Sequence, residues 1–128
     1  MFQQVTKNIK VSVKVSYNGI STHGNQNYHA FSYFITIKNN SKETIQLLER
    51  FWNIYDSLND PEFVEGPGVI GQTPILLSND EYSYTSNCFL LSTTGAMKGS
   101  YKMKKINTSE EFLVTIPTFQ LTTPPTLN

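Results

Sequence analysis

Between Ile9 and Tyr17 every second residue is apolar (Ile9, Val11, Val13, Val15, Tyr17), and Lys10, Ser12, Lys14 and Ser16 stand between them. Successive side chains of an extended chain point to opposite faces, so a period of two gives one dry face and one wet face. The segment therefore reads as a half-buried strand. The same alternation places Phe31, Tyr33, Ile35 and Ile37 on one face of a strand over 28–38. It recurs at Met97, Gly99, Tyr101 and Met103, and at Phe112, Val114 and Ile116.

Shorter strands are expected at 62–65, 74–77 and 81–86, the last with Tyr82 and Tyr84 on one face. From Thr44 to Asp56 the pattern changes phase. Ile45 and Leu47 lie on one parity and Leu48, Trp52 and Ile54 on the other, as a β-bulge produces. A short helix is the competing reading of that stretch. Turn residues separate the strands at 39–42, 59–61, 78–80, 92–95 and 107–109. A long loop is expected over 18–27 and a Gly-rich loop over 66–71. Pro117 is expected to limit the last strong strand, with Phe119–Leu121 as a short edge piece and 122–128 as a frayed tail. Seven to eight short strands without a sustained helical pattern predict one all-β domain over 1–128, an immunoglobulin or fibronectin type III-like β-sandwich.

Composition narrows the partners. Ten basic residues balance ten acidic ones, and a nucleic-acid partner would ask for a basic face. Cys88 is the single cysteine, so no internal disulfide forms. The start of the chain lacks a signal-peptide pattern, and no apolar run reaches the roughly 18 residues that span a bilayer. The expectation is a cytoplasmic protein without a membrane span.

Gly66-Pro67-Gly68-Val69-Ile70-Gly71 matches G-x-G-x-x-G. In a dinucleotide fold that motif opens a helix; here Gln72-Thr73-Pro74 and a strand-length apolar run follow, so that reading fails. Two remain. Gly66, Gly68 and Gly71 either shape a sharp reversal or build a backbone N–H nest for phosphate or pyrophosphate, from which Pro67 removes one donor. His23, His29 and Cys88 show no metal-ligand spacing. Asp56, Asp60, Glu62 and Glu65 read as solvated turn carboxylates, so neither a metal nor a cofactor is expected. No nucleophile stands beside a base in a recognisable motif, and Cys88, among apolar neighbours, reads as packing. The only Arg and the only Trp, Arg50 and Trp52, adjoin the bulge. Trp52 reads either as the large core residue, with Arg50 pairing to a carboxylate such as Asp56, or as part of an aromatic–Arg interaction surface.

Arg50-Phe51-Trp52-Asn53-Ile54-Tyr55-Asp56 resembles an R-x-W-x-I-x-D signature, and Val64 to Gly71 with Pro74 and Leu76 resembles V-x-G-x-G-V-V-G-x-x-P-x-L. Tyr84-Thr85-Ser86, then Gly95 to Met103, resemble Y-x-S and G-x-M-x-G-x-Y-x-M. With Ile116-Pro117-Thr118-Phe119, their order and spacing from about Val11 to Leu121 resemble the ApaG family, a DUF525-type domain. The resemblance implies a fibronectin type III-like sandwich, a link to cobalt and magnesium efflux or resistance, and no established catalytic residue. The same domain in eukaryotic F-box and polymerase-interacting proteins implies a protein-interaction module.

The functional expectation is a non-enzymatic module that binds another protein through the 66–71 loop and an exposed strand edge. Its alternatives are a phosphate, pyrophosphate or small-ligand binder in divalent-cation homeostasis, and a hydrolase of phosphorylated small molecules. The pattern leaves the oligomeric state open.

Overall fold

The computed structural model describes residues 1–125. The strands are β1 (Phe2–Thr6), β2 (Ile9–His23), β3 (Gln26–Asn39), β4 (Ile45–Asp56), β5 (Glu62–Pro67), β6 (Ile75–Leu76), β7 (Glu81–Leu90), β8 (Thr94–Lys105) and β9 (Glu111–Thr122). One sheet has the order β1-β2-β3-β7 and the other β5-β4-β8-β9, with β6 sharing the β5 side of β4. All the pairings are antiparallel, and the two sheets make the predicted sandwich.

The alternation sets this arrangement. Ile9, Val11 and Val13 of β2 and Phe31, Tyr33, Ile35 and Ile37 of β3 are buried against Leu47 and Trp52 of β4, Tyr101 and Met103 of β8, and Val114 and Phe119 of β9. Burying one such side chain stabilises by about 1.5–3 kcal/mol. A slip of one residue would turn a whole row outward, so packing holds the register.

The strand count exceeds the expected seven to eight. β1 carries no alternation that sequence could reveal; it is recruited by a two-residue turn at Lys7 and Asn8 (φ 48° and 66°), across which Thr6 pairs with Ile9. The long loop over 18–27 does not form. β2 runs on to His23 and β3 begins at Gln26, with a register shift between Tyr17 and Ile20. This end of the hairpin is largely exposed, so its residues are polar without being a loop. The bulge in β4 is present as a register shift between Leu47 and Glu49, and the competing helix is absent.

Pro117 does not limit β9. Gly99 pairs with Ile116 and Met97 with Phe119, so Pro117 falls in a bulge where no ladder N–H is required. Of the expected tail, Thr122 ends β9 and the Thr123 N–H donates to the Thr93 carbonyl at 3.0 Å; residues 126–128 lie outside the described residues. Asn39, expected as a turn residue, is fully buried. Its amide donates to the carbonyls of Glu43, Leu76 and Leu77 at 2.8, 3.0 and 3.2 Å and so fixes the β3–β4 connection to β6.

The two sides of the sandwich differ. On one side β1 lies against β9: the Thr115 N–H donates to Thr6 Oγ1 at 3.2 Å, and the Phe2 and Phe119 rings are 6.3 Å apart. On the other side β7 and β5 end their sheets without pairing to each other.

Candidate functional site

The open side owes its chemistry to the β4 bulge. Ile45 and Leu47 point into the sandwich; a regular strand would continue with Glu49 and Phe51. The extra residue at Leu48 shifts the phase, so Arg50, Trp52 and Ile54 take the inward positions instead. Across the gap, β7 turns Tyr84, Ser86 and Cys88 inward. Packing alone would place apolar side chains at all of these positions. Arg50 and Ser86 depart from that rule, and such departures concentrate where a structure serves function.

They line two adjoining hollows. The larger, about 460 Å³, lies between β5 and β7 and includes Glu62, Val64, Cys88 and Phe89, with His23 at its rim. The smaller, about 140 Å³, runs under the 66–71 loop and includes Val69, Ile70, Gly71 and Tyr84. Tyr33, Arg50, Trp52 and Ser86 border both. Trp52 is only 4% exposed; its ring lies edge-on to Tyr33 at 5.5 Å and to Phe119 at 5.9 Å. It is at once a core residue and the floor of the slot.

The glycines serve the arginine. Arg50 Nη1 donates to the carbonyls of Pro67 and Gly68, both at 3.0 Å. A Cβ at Gly66 would come within 3.2 Å of the guanidinium, so glycine leaves it room. Gly68 has φ +59°, and a side chain there would run into the Gln72 carbonyl. The Gly68 N–H donates to Leu48 O, while Val69 and Gln72 exchange N–H···O bonds at 2.8 and 2.9 Å. Ile70 and Gly71, both at positive φ (47° and 72°), are then the centre of a type I′ turn. The N–H groups of Gly68 and Val69 are thus engaged within the protein, and the carbonyls of Pro67 and Gly68 face a cation.

The expected pairing of Arg50 with Asp56 does not form. The Asp56 carboxylate accepts from the N–H groups of Leu58, Leu91 and Ser92 at 3.1, 2.7 and 3.2 Å and ties the β7–β8 turn to the end of β4. Among the described residues the ion pairs are made by Lys38, Lys102 and Lys105, none by Arg50. Among the described residues its hydrogen-bond partners are the Pro67 and Gly68 carbonyls.

Burial pushes the Tyr33, Tyr84 and Tyr101 phenols above their usual range, and the Arg50 charge draws each back a little. Tyr84 and Tyr101 share a hydroxyl–hydroxyl hydrogen bond. Burial, reinforced by the charges of Glu62 and Asp56, pushes the Cys88 thiol up to about 11. At neutral pH it is a protonated thiol and a poor nucleophile. His29 Nδ1 bonds the Tyr17 hydroxyl at 2.8 Å, and His23 packs against Phe89 at 4.9 Å. Among the described residues no three His, Cys, Asp or Glu side chains cluster as metal ligands, and no helix is long and apolar enough to cross a membrane.

The structure therefore brings together Arg50, Trp52, Gly66, Gly68 and Gly71 from the sequence reading. It adds Tyr33, Tyr84 and Ser86, which that reading passed over as sites. The signal for Ser86 was available: it shares the parity of Tyr82 and Tyr84.

The family model described as the ApaG domain matches residues 20–105. Protein ApaG of Brucella anthropi is 42% identical over 124 residues, covering 97% of this chain and 95% of the relative. Protein ApaG of Mesorhizobium japonicum is 41% identical over 126 residues, covering 98% and 96%. A solved structure of a Bordetella pertussis protein described as a candidate ApaA superposes with a TM-score of 0.83 at 33% identity, covering 92% of this chain and 95% of that one.

Proposed function

This chain belongs to the ApaG family, and from that premise we propose that it is a non-enzymatic binding module whose slot around Arg50 receives part of another protein. One observation carries the reading: a guanidinium that has no carboxylate partner among the described residues faces a hollow of about 460 Å³ that the two sheets leave unfilled. Hollows of this size and mixed lining are where proteins bind ligands or anchor side chains of partners. Its titratable groups suit holding over reacting: the thiol is held protonated and the phenols are raised. In the cell, such recruitment would serve the cobalt and magnesium handling that the resemblance implies.

A second reading is a phosphate or pyrophosphate site. The same guanidinium favours it, with the turn residues Ile70 and Gly71 lining the smaller hollow beside it. Here Arg50, and not a glycine nest, would supply the charge.

Affinity capture from the native cell tests the first reading. Ser86→Trp should fill the slot and lose the specific partner, while Leu113→Ser, on the exposed outer face of β9, keeps it. Equal recovery by all three proteins would reject the slot as a protein site. Calorimetry with pyrophosphate, with and without Mg²⁺, tests the second.

A further inference from the structure

The β7 edge and the Arg50 charge lie on the same side of the molecule, and they point to a partner of defined chemistry. β7 pairs with β3 along Glu81–Leu90 and ends its sheet. On its far side every second residue therefore presents an N–H and a C=O that have no strand partner among the described residues. Natural edges are commonly guarded by lysine, proline, a bulge or extreme shortness. β7 is ten residues long. Its sequence, Glu-Tyr-Ser-Tyr-Thr-Ser-Asn-Cys-Phe-Leu, holds no Lys, Arg, Pro or Gly, and its register against β3 is unbroken. The other edges are guarded: β1 and β9 seal each other, and β5 is six residues long with Gly66-Pro67 at its end.

A strand laid along β7 would direct alternate side chains into the gap between the sheets, which are about 10 Å apart. The position beside Ser86 looks across at Arg50, because those two residues border both hollows. Two residues along, beside Cys88, the opposite lip is Glu62, which borders only the larger hollow. The slot is thus polarised along the strand, cationic at Ser86 and anionic at Cys88.

We propose, resting on the protein-binding reading above, that an extended segment of a partner protein adds to the β7 edge and sets one Asp or Glu side chain against Arg50. The next inward residue of that segment, facing Glu62, is neutral or basic. Main-chain hydrogen bonds supply affinity, and the inward side chains supply selection. Charge-assisted bonds to a forked guanidinium favour a carboxylate over its amide.

Selection of displayed random decapeptides against the intact chain tests this. The expected binders share one acidic position, followed or preceded two residues away by a neutral or basic one. Replacing that acid by its amide should weaken binding by about tenfold or more. Methylating alternate backbone nitrogens of the peptide should abolish binding, and bound peptide should slow hydrogen exchange along 81–90. Arg50→Lys should recover part of the affinity that Arg50→Met loses. Peptides that bind without acidic preference, or that protect β5 in place of β7, would overturn the inference; if they were still blocked by Ser86→Trp, the slot would remain a protein site. Failure of every peptide to enrich, or a dimer already paired through β7 in sedimentation, would also overturn it.

Discussion

The two sides of this sandwich are built from the same kind of strands and end differently. Where β1 meets β9, a side-chain hydroxyl accepts a strand-edge N–H and two phenylalanine rings close the gap. Where β5 faces β7, Arg50 and Ser86 replace core side chains and leave a slot. One side is finished by packing; the other holds a charge and a free edge. The contrast separates residues that stabilise the fold from residues that leave it open for something else.

Truncating the sealed side should cost most. Phe119 is fully buried and lies 5.7 Å from Tyr33 and 5.9 Å from Trp52. Phe119→Ala should destabilise by about 3–5 kcal/mol, read as the urea midpoint. A loss below about 1 kcal/mol would mean that the sealed side is not the structural one.

Alkaline titration reaches the open side. The folded protein holds the Cys88 proton to about 11, while an unperturbed thiol of this kind loses it at 9.0. The contribution is therefore complete below about pH 9 and disappears as the pH rises from there through 11, on the order of 2–3 kcal/mol in all. The buried phenols act in the same direction at higher pH. Denaturation midpoints across pH 8–11 should fall, and Cys88→Val should flatten the early part. A curve that Cys88→Val leaves unchanged would contradict the raised thiol.

The smallest effect sharpens the contrast most. Ile70 is a β-branched residue at φ +47° and is 58% exposed, a conformation that costs on the order of 1–3 kcal/mol. Ile70→Gly should relieve it and raise stability by about 1 kcal/mol, less the added chain entropy of glycine. If partner recovery falls while the melting temperature rises, the strain belongs to the site. A lower melting temperature would show that Ile70 packs usefully where it stands.

Alternation exposed β2, β3, β8 and the start of β9 because burial on one face leaves a period-two record at Ile9–Tyr17 and Met97–Met103. The phase change at Leu48 revealed the bulge for the same reason. β1 left no such record, since its three central residues are exposed. The polar 18–27 hairpin looked like a loop because no core marks it. Gly66, Gly68 and Gly71 were found by motif, but the anion nest was one possible use, and here the Pro67 and Gly68 carbonyls face Arg50.

The order of residues alone decided that this chain is two half-buried sheets, because each strand carries the choice of dry face in its own side chains. It also supplied one arginine beside a bulge. Only the tertiary structure decided where that charge points, because inward and outward are defined by what lies across the gap. Ser86 and the unpaired length of β7 come from a strand more than thirty residues further along the chain, and their meeting with Arg50 depends on how two sheets stack.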